Sequence, residues 1–160
     1  MAYGKVRTDN MSGTILGKNL VSVKFQNAGK DAAIENGNVV LVGDLVAGER
    51  EVRLATAVAA NSDLSQVALI ATPELVKAQK YTVLEDFINE AGSICRGYRL
   101  LSKDIFSVSA ACLTGTASVG SVVELAAGTK LKVVSKATDG STQVGKVIAL
   151  EGDWIVIEVA

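Results

Sequence analysis

The sequence predicts a mostly-β protein: a small β-barrel or sandwich with one short α-helix at about 83–91 and an extended N-terminal arm. Short segments rich in Val and Ile recur along the chain, and β-branched residues favour strands. The chain has 15 Gly and a single Pro, which is typical of strands joined by tight turns. Aromatic residues make up only 4% of the chain, so the core must be built mainly from aliphatic side chains.

The first half of the chain begins with a segment that has no regular period. Residues 1–19 are mixed and contain glycine, so we expect an extended arm followed by a single β-rich domain over 20–160. Within 20–26, apolar residues alternate with polar ones, which predicts a half-buried strand. Asn36-Gly37 signals a turn. Further strands are predicted at 39–42, where an apolar run indicates burial on both faces, at 52–58 and at 67–71.

A capping box and an apolar face predict the one helix. Thr82 is a candidate N-cap, and Glu85, three residues further on, completes the box. Gly92 is a natural C-terminal stop. We expect about two helical turns that cover one opening or face of the sheet. The apolar residues on the predicted face are Leu84, Phe87, Ile88 and Ala91.

After Gly97 the sequence is strand-like to its end. Apolar segments follow one another at intervals of about 8–12 residues with glycine turns between them, a pattern typical of a small barrel or sandwich. In the last segment Ile155, Ile157 and Val159 share one face of the predicted strand. The segments lie at 105–108, 122–125, 131–134, 144–148 and 155–159.

The net charge of −1 is unevenly distributed. Residues 1–30 contain five basic residues and one acidic residue, a net charge of +4, so the remaining 130 residues sum to −5. A solvated polar end of the domain and a basic arm that docks on an acidic partner both explain this pattern. Nucleic acid is disfavoured as a direct partner, because the arm offers only Tyr3 for stacking and the rest of the protein would repel phosphate. The charged residues are Lys5, Arg7, Asp9, Lys18, Lys24 and Lys30.

Few residues suit catalysis or a cofactor. The chain has no His, the side chain that most often serves acid–base chemistry near neutral pH, and no phosphate-binding glycine motif, so we expect neither an enzyme nor a bound cofactor. Cys95 and Cys112 have no metal-site spacing, and we expect two reduced thiols packed as small apolar groups. No apolar run approaches the roughly 18 residues of a membrane span, and residues 1–10 do not resemble a signal peptide.

Two chemical alternatives stay open. A hydrolase could use carboxylates and lysine, and Ser102-Lys103 and Ser135-Lys136 are adjacent pairs, although neighbouring strand residues point to opposite faces. A lysine-modified carrier would place its lysine at a hairpin tip, and Lys136 lies near the turn signal Asp139-Gly140. The charged residues Glu49, Arg50, Glu51 and Arg53 are interpreted as a charged turn and strand edge.

The segment after the predicted helix carries two arginines and a tyrosine. Arg96 and Arg99 flank Gly97-Tyr98 directly after the helix stop. Two guanidiniums at that place could hold the last helical carbonyls and a carboxylate such as Glu90 or Asp104. Arg96, Tyr98 and Arg99 are therefore candidates either for a structural clamp or for contact with a partner subunit, where Arg and Tyr are favoured.

Four segments carry a family resemblance, and they read NGNVVLVGDLVAGEREV (36–52), ATPEL (71–75), NEAGSICRGYRLLSKDIFSV (89–108) and VGSVVELAAGTKLKVVS (119–135). Together they resemble small head proteins of tailed bacteriophages, which lie beside the major capsid protein and are described as decoration, cement or structural proteins. The resemblance covers about residues 36–160 and does not include the N-terminal arm.

The resemblance implies a non-enzymatic role in the virion. Such proteins bind the outside of an expanded icosahedral shell, often as trimers, and stabilise it against the pressure of the DNA inside. The protein would then be assembled in the host cytoplasm, lie on the capsid exterior, bind the major capsid protein and form a homo-oligomer, with a trimer favoured. Lys5, Arg7 and Lys18 are the expected capsid contacts, and many weak contacts repeated over a lattice would give strong avidity.

Other roles fit the same sequence features. A tail-tube, connector or head-fibre component would also be a virion protein, and ring or tube formation by the purified protein would favour it. A cellular carbohydrate-binding or carrier module belongs to a different class, and a mass shift at Lys136 would favour the carrier.

Overall fold

The computed structural model of the protein describes residues 2–74 and 84–160. Strands dominate the described chain, which confirms the mostly-β prediction. In chain order they are β1 (Val6–Asn10), β2 (Leu20–Asn27), β3 (Lys30–Asp31), β4 (Val39–Leu45), β5 (Val52–Thr56), β6 (Val67–Ile70), β7 (Ile94–Arg99), β8 (Ile105–Ser109), β9 (Leu113–Thr114), β10 (Val122–Glu124), β11 (Leu131–Val134), β12 (Gln143–Glu151) and β13 (Trp154–Val159). Helical structure in these ranges is limited to short 3₁₀ turns at Ser12–Thr14, Gly17–Asn19, Leu64–Gln66, Leu84–Asp86 and Ala110–Cys112.

The strands form two sheets. A seven-stranded sheet has the order β1-β8-β13-β12-β10-β11-β9, and all its pairings are antiparallel except that between β11 and β9. The second sheet has the order β3-β2-β5-β4-β6-β7, and β2 pairs with β7 as well as with β5. The ring β2-β5-β4-β6-β7 is therefore closed into a five-stranded barrel, in which β2 and β5 run parallel. Closure removes the free edges that an open sheet would expose.

Two apolar cores hold this architecture together. One fills the barrel and includes Val23, Val40 and Ile70. The other lies between the barrel and the seven-stranded sheet and includes Val39, Leu69, Phe106, Leu131 and Ile157. Strand β6 contributes alternate residues to the two cores. In β4, Val39 belongs to the core between the sheets and Val40 to the core of the barrel. The apolar run at 39–42 thus lies between two cores, as the sequence predicted.

The predicted alternation is also confirmed in two other strands. In β2 the side chains of Val21, Val23 and Phe25 are buried, whereas the polar residues between them are partly exposed. In β13 Ile157 and Val159 are buried in the core between the sheets, and Ile155 packs against it.

The helix predicted at 83–91 is wrong. The structure has only a 3₁₀ turn at Leu84–Asp86, while Thr82 and residue 83 lie outside the described residues. Asn89, at the end of the predicted helix, instead forms an antiparallel bridge with Ile34, with backbone N–H···O distances of 2.9 and 3.0 Å in the two directions. A helix of about two turns has little intrinsic stability in water, so these tertiary hydrogen bonds determine the local conformation.

The N-terminal segment is part of the fold. Residues 6–10 are extended, as expected for an arm, but they form strand β1, which pairs with β8 at the edge of the seven-stranded sheet. Met11 is only 1% exposed and belongs to the core between the sheets. The Ser12 N–H donates to the buried carboxylate of Asp104 at 3.0 Å, and the Ser12 hydroxyl donates to the same oxygen. Sequence alone gave no sign of this docking, because the segment has no apolar period.

No helix within residues 2–74 and 84–160 is both long and apolar enough to cross a membrane.

Candidate functional site: a cationic groove at one end of the barrel

An open groove of about 500 Å³ lies at the end of the barrel where β2 and β5 begin and β7 ends. Its lining is dominated by positive charge, with five basic side chains and one acidic side chain among the described residues. The apolar part of the lining is small. The groove is lined by Gly17, Lys18, Leu20, Val21, Ser22, Leu45, Arg50, Glu51, Arg53, Arg96 and Arg99.

Four separate segments supply the basic side chains, which we call the groove cations: Lys18, Arg50, Arg53, Arg96 and Arg99. Lys18 lies in the 3₁₀ turn that leads into β2, and Arg53 lies in β5, whose parallel pairing with β2 sets Arg53 beside Val23. Arg96 and Arg99 lie in β7, on the other side of β2, where Arg96 pairs with Ser22. Closure of the barrel through β2 therefore brings both neighbouring strands to one groove.

Arg50 reaches the groove from the turn between β4 and β5. The Val46 N–H donates to the Val52 carbonyl at 2.9 Å, and the Glu49 N–H donates to the Val46 carbonyl at 3.0 Å. Gly48 has a φ of +82°, which a glycine adopts without steric cost. These contacts fix a tight turn that holds Arg50 beside the end of the barrel.

Two groove cations are anchored by backbone carbonyls. The Arg53 guanidinium donates to the Gly43 carbonyl at 3.1 Å, and the Arg99 guanidinium donates to the Ser65 carbonyl at 3.3 Å. Within the described part of the chain, none of the five groove cations forms an ion pair with a carboxylate. The groove therefore concentrates uncompensated positive charge in a concave, partly shielded surface, which focuses the electrostatic potential on an anionic ligand.

The structure brings together only part of the predicted contact set. Lys18, expected to touch a capsid, lies in the same groove as Arg96 and Arg99, expected to form a clamp or a subunit contact. Tyr98 is buried in the core between the sheets and lies against Gly13, so it holds the N-terminal segment to the barrel.

The contacts expected for the two arginines differ from those observed. Within the described residues no α-helix ends beside them, and Asp104 accepts hydrogen bonds from Ser12 and from the Leu101 N–H at 3.1 Å. Arg99 contacts the Ser65 carbonyl, and Arg96 extends into the groove. The predicted contact with helical carbonyls depended on the helix at 83–91 and is wrong for the same reason, whereas contact with a partner subunit stays a prediction.

Lys5 and Arg7 lie away from the groove lining, around the single tryptophan. The Lys5 ammonium is 5.7 Å from the centroid of the Trp154 ring, and the Arg7 guanidinium is 4.9 Å from it, both within cation–π range. Lys5 also forms an ion pair with Glu85 at 2.9 Å, and its side chain is only 14% exposed. Arg7 is 53% exposed, so it is the more accessible of the two residues.

Sequence analysis missed Arg50 and Arg53 as members of a site and assigned them to a charged turn and strand edge. Two basic residues within four positions were a visible signal. Their proximity to Lys18 and Arg96 was not visible, because it depends on the parallel pairing of β2 with β5 and on the closure of the barrel.

The two cysteines are free and buried. Burial raises the pKa of the Cys95 thiol to about 11, and burial also raises the pKa of the Cys112 thiol. Both are therefore protonated near neutral pH and poor nucleophiles. This agrees with the expectation of reduced thiols packed as small apolar groups.

The two lysines considered for a hydrolase or a carrier, Lys103 and Lys136, lie in different parts of the structure. Lys103 forms an ion pair with Glu158 at 3.5 Å, and Lys136 is exposed in the connection between β11 and β12. In the part of the chain that the structure describes, no three Cys, Asp or Glu side chains are grouped as they would be around a metal ion.

No protein-family model, curated protein sequence or solved structure matches this chain.

Proposed function

We propose that the protein is a non-enzymatic structural protein of a tailed-bacteriophage head, which binds the outer surface of the capsid and stabilises the shell. Its partner is the major capsid protein, and it acts as a homo-oligomer, with a trimer favoured, on the exterior of a virion assembled in the host cytoplasm. The phage assignment comes from the resemblance of residues 36–160 to small head proteins.

The structural observation that carries the proposal is the groove with its five cations, none of which has a carboxylate partner in residues 2–74 and 84–160. A concave surface of this charge suits docking on an acidic protein surface, and it includes Lys18, one of the expected capsid contacts. A single such contact gives modest affinity in physiological salt. Repetition over a capsid lattice raises the overall affinity. Once one subunit of an oligomer has bound, the other subunits bind neighbouring capsid sites at a high effective concentration.

Exposed apolar side chains support the homo-oligomer. Ile15 is 81% exposed and Leu16 lies beside it, next to the groove. A second group of exposed apolar residues comprises Val119, together with Ile148 and Leu150 of β12. Large apolar side chains that remain exposed in one copy favour contact with another copy. Light scattering on the purified protein should give three times the mass of one chain, and the mass of a single chain would contradict the trimer.

Co-sedimentation with phage heads that lack this protein tests the function. Heads are mixed with increasing protein, pelleted and washed, and the copy number per particle is read from a gel against the major capsid protein. We expect saturable binding at hundreds of copies, as a lattice of sites requires. Saturation at about a dozen copies or fewer would indicate a connector or tail component instead, and no binding at all would contradict the capsid proposal.

A further inference from the structure

The groove cations differ from the other basic residues in how they are neutralised. Outside the groove, several basic residues meet a carboxylate: Lys5 meets Glu85 at 2.9 Å, Lys24 meets Asp31 at 2.7 Å, and Lys132 meets Glu124 at 3.3 Å. In the groove the described structure contains no such pair, although Glu51 lines the same surface. Clustered like charges repel one another and disfavour the compact state. An external anion would remove that repulsion.

We propose that the groove binds a carboxylate-rich, extended peptide segment of a partner protein. The inference rests on the proposed function, in which the partner is the capsid protein, and it adds the chemistry of the segment that is recognised. Arginine presents a planar fork of N–H donors that matches a carboxylate with two parallel hydrogen bonds. Arg53 and Arg99 are held by the Gly43 and Ser65 carbonyls, so part of the ordering cost of their side chains is met before the ligand arrives.

The lining favours a peptide over a nucleic acid. Among the residues that the structure describes, no aromatic side chain lines the groove, so this lining offers no platform on which a base could stack. Leu45, which is 44% exposed, adds a small apolar area that an apolar side chain beside the carboxylates could contact.

The distribution of net charge between the groove and the rest of the protein also favours a short acidic peptide. The groove carries a net charge of +4 and the whole chain −1, so the rest of the protein carries −5. A long polyanion would extend past the groove, where the protein is net negative, and acidic side chains within about 8 Å of it would repel it at physiological salt. A short acidic segment that ends within the groove avoids this repulsion.

Binding of a fluorescein-labelled oligoglutamate peptide, followed by fluorescence anisotropy, tests the inference. An oligothymidylate of equal charge is the competing ligand, and oligolysine is the negative control. We expect the wild-type protein to bind oligoglutamate more tightly than oligothymidylate. Affinity should fall as salt is raised from about 0.05 to about 0.5 M, since screening weakens exposed charge pairs.

Charge-neutralising variants localise the binding. Arg96→Gln/Arg99→Gln removes two charges from β7. Lys18→Gln/Arg50→Gln removes two from exposed positions that have no backbone carbonyl partner among the described residues. Each should weaken oligoglutamate binding at least about tenfold, because charge-assisted hydrogen bonds are lost. The matched control is Lys30→Gln/Lys136→Gln, which makes the same change in net charge at exposed positions outside the groove lining and should bind within about twofold of wild type. Thermal unfolding checks that each variant is folded.

Three results would overturn the inference: oligoglutamate does not bind, the control variant loses as much affinity as the groove variants, or oligothymidylate binds more tightly. The assay contains no phage heads, so its outcome is separate from that of the co-sedimentation experiment. Oligoglutamate binding without binding to heads would contradict the proposed function and retain the peptide groove. Binding to heads with no oligoglutamate binding would contradict the groove inference alone.

Discussion

Gly37 lies where the backbone passes close to the Cys112 thiol. Its φ is +83°, and a β-carbon at this position would overlap Cys112 Sγ. Gly48 has nearly the same φ, +82°, but a β-carbon there would meet nothing within 4 Å. Comparison of the two positions therefore separates the steric overlap from the backbone strain that both share.

We expect Gly37→Ala to lower the free energy of unfolding by about 2–4 kcal/mol, because backbone strain and overpacking add. Gly48→Ala should lower it by about 1 kcal/mol, from backbone strain alone. Urea unfolding of both variants measures the difference. Equal losses would show that the contact with Cys112 is not tight.

Glu124 is a buried carboxylate with a full set of partners. The Thr138 N–H donates to it at 2.9 Å, the Thr138 hydroxyl donates at 2.7 Å, and the Lys132 ammonium lies 3.3 Å away. Burial by itself raises the pKa of Glu124, but the hydrogen bonds from Thr138 and the charge of Lys132 outweigh burial, so this pKa lies below its usual value of 4.5. The ionised side chain therefore stabilises the connection between β11 and β12.

Glu124→Gln should lower the free energy of unfolding near neutral pH by about 1–3 kcal/mol, because an amide cannot accept from all three donors. The folded-state pKa lies below the unfolded-state value, so the stabilisation is present above about pH 4.5 and is lost as the pH falls through the folded-state pKa. Urea unfolding at a series of pH values should show the gap between wild type and variant narrowing in acid. Exposed Glu151→Gln is the control, and a gap that is independent of pH would contradict this role.

The sequence predicts an extended N-terminal arm, whereas the structure shows an edge strand followed by the buried side chain of Met11. Met11→Ala should lower the free energy of unfolding by about 2–4 kcal/mol, because Met11 is 1% exposed within the core between the sheets. Ile94→Ala, at a position that is 56% exposed and lies outside the groove and the proposed oligomer contacts, should change it by less than about 1 kcal/mol. Thermal or urea unfolding compares the two variants. If Met11→Ala were equally neutral, the segment would behave as a separate arm.

Strands with strong patterns could be predicted from sequence. The alternation of β2 and the apolar run of β4 each depend on which faces of one strand are buried, and that is a local property of the sequence. The helix at 83–91 could not be decided locally, because the bridge between Ile34 and Asn89 joins residues 55 positions apart.

The groove could not be predicted from local sequence either. The sequence singled out Lys18, Arg96 and Arg99, but in two unrelated sets, and it placed Arg50 and Arg53 in neither. Their convergence depends on β2 pairing with two strands that lie far apart in the chain. Such pairings reflect the topology of the barrel, which has no signature in local hydropathy.

The net charge of −1 is distributed unevenly between the groove and the rest of the protein. One end of the barrel carries +4 in an open groove, and the remainder of the protein carries −5. An acidic partner surface would attract the groove and repel the rest of the protein, which favours an approach with the groove leading. Binding to a capsid through the groove should therefore weaken as ionic strength rises.

Binding of matched variants to phage heads that lack this protein tests most directly whether the groove mediates capsid binding. Wild type, Arg96→Gln/Arg99→Gln and Lys30→Gln/Lys136→Gln are titrated in parallel, and bound copies per head are counted after sedimentation. The account predicts that wild type and the Lys30/Lys136 variant saturate at the same number, in the hundreds, while the Arg96/Arg99 variant needs at least about tenfold more protein. Equal binding by all three proteins, or no binding by wild type, would contradict it.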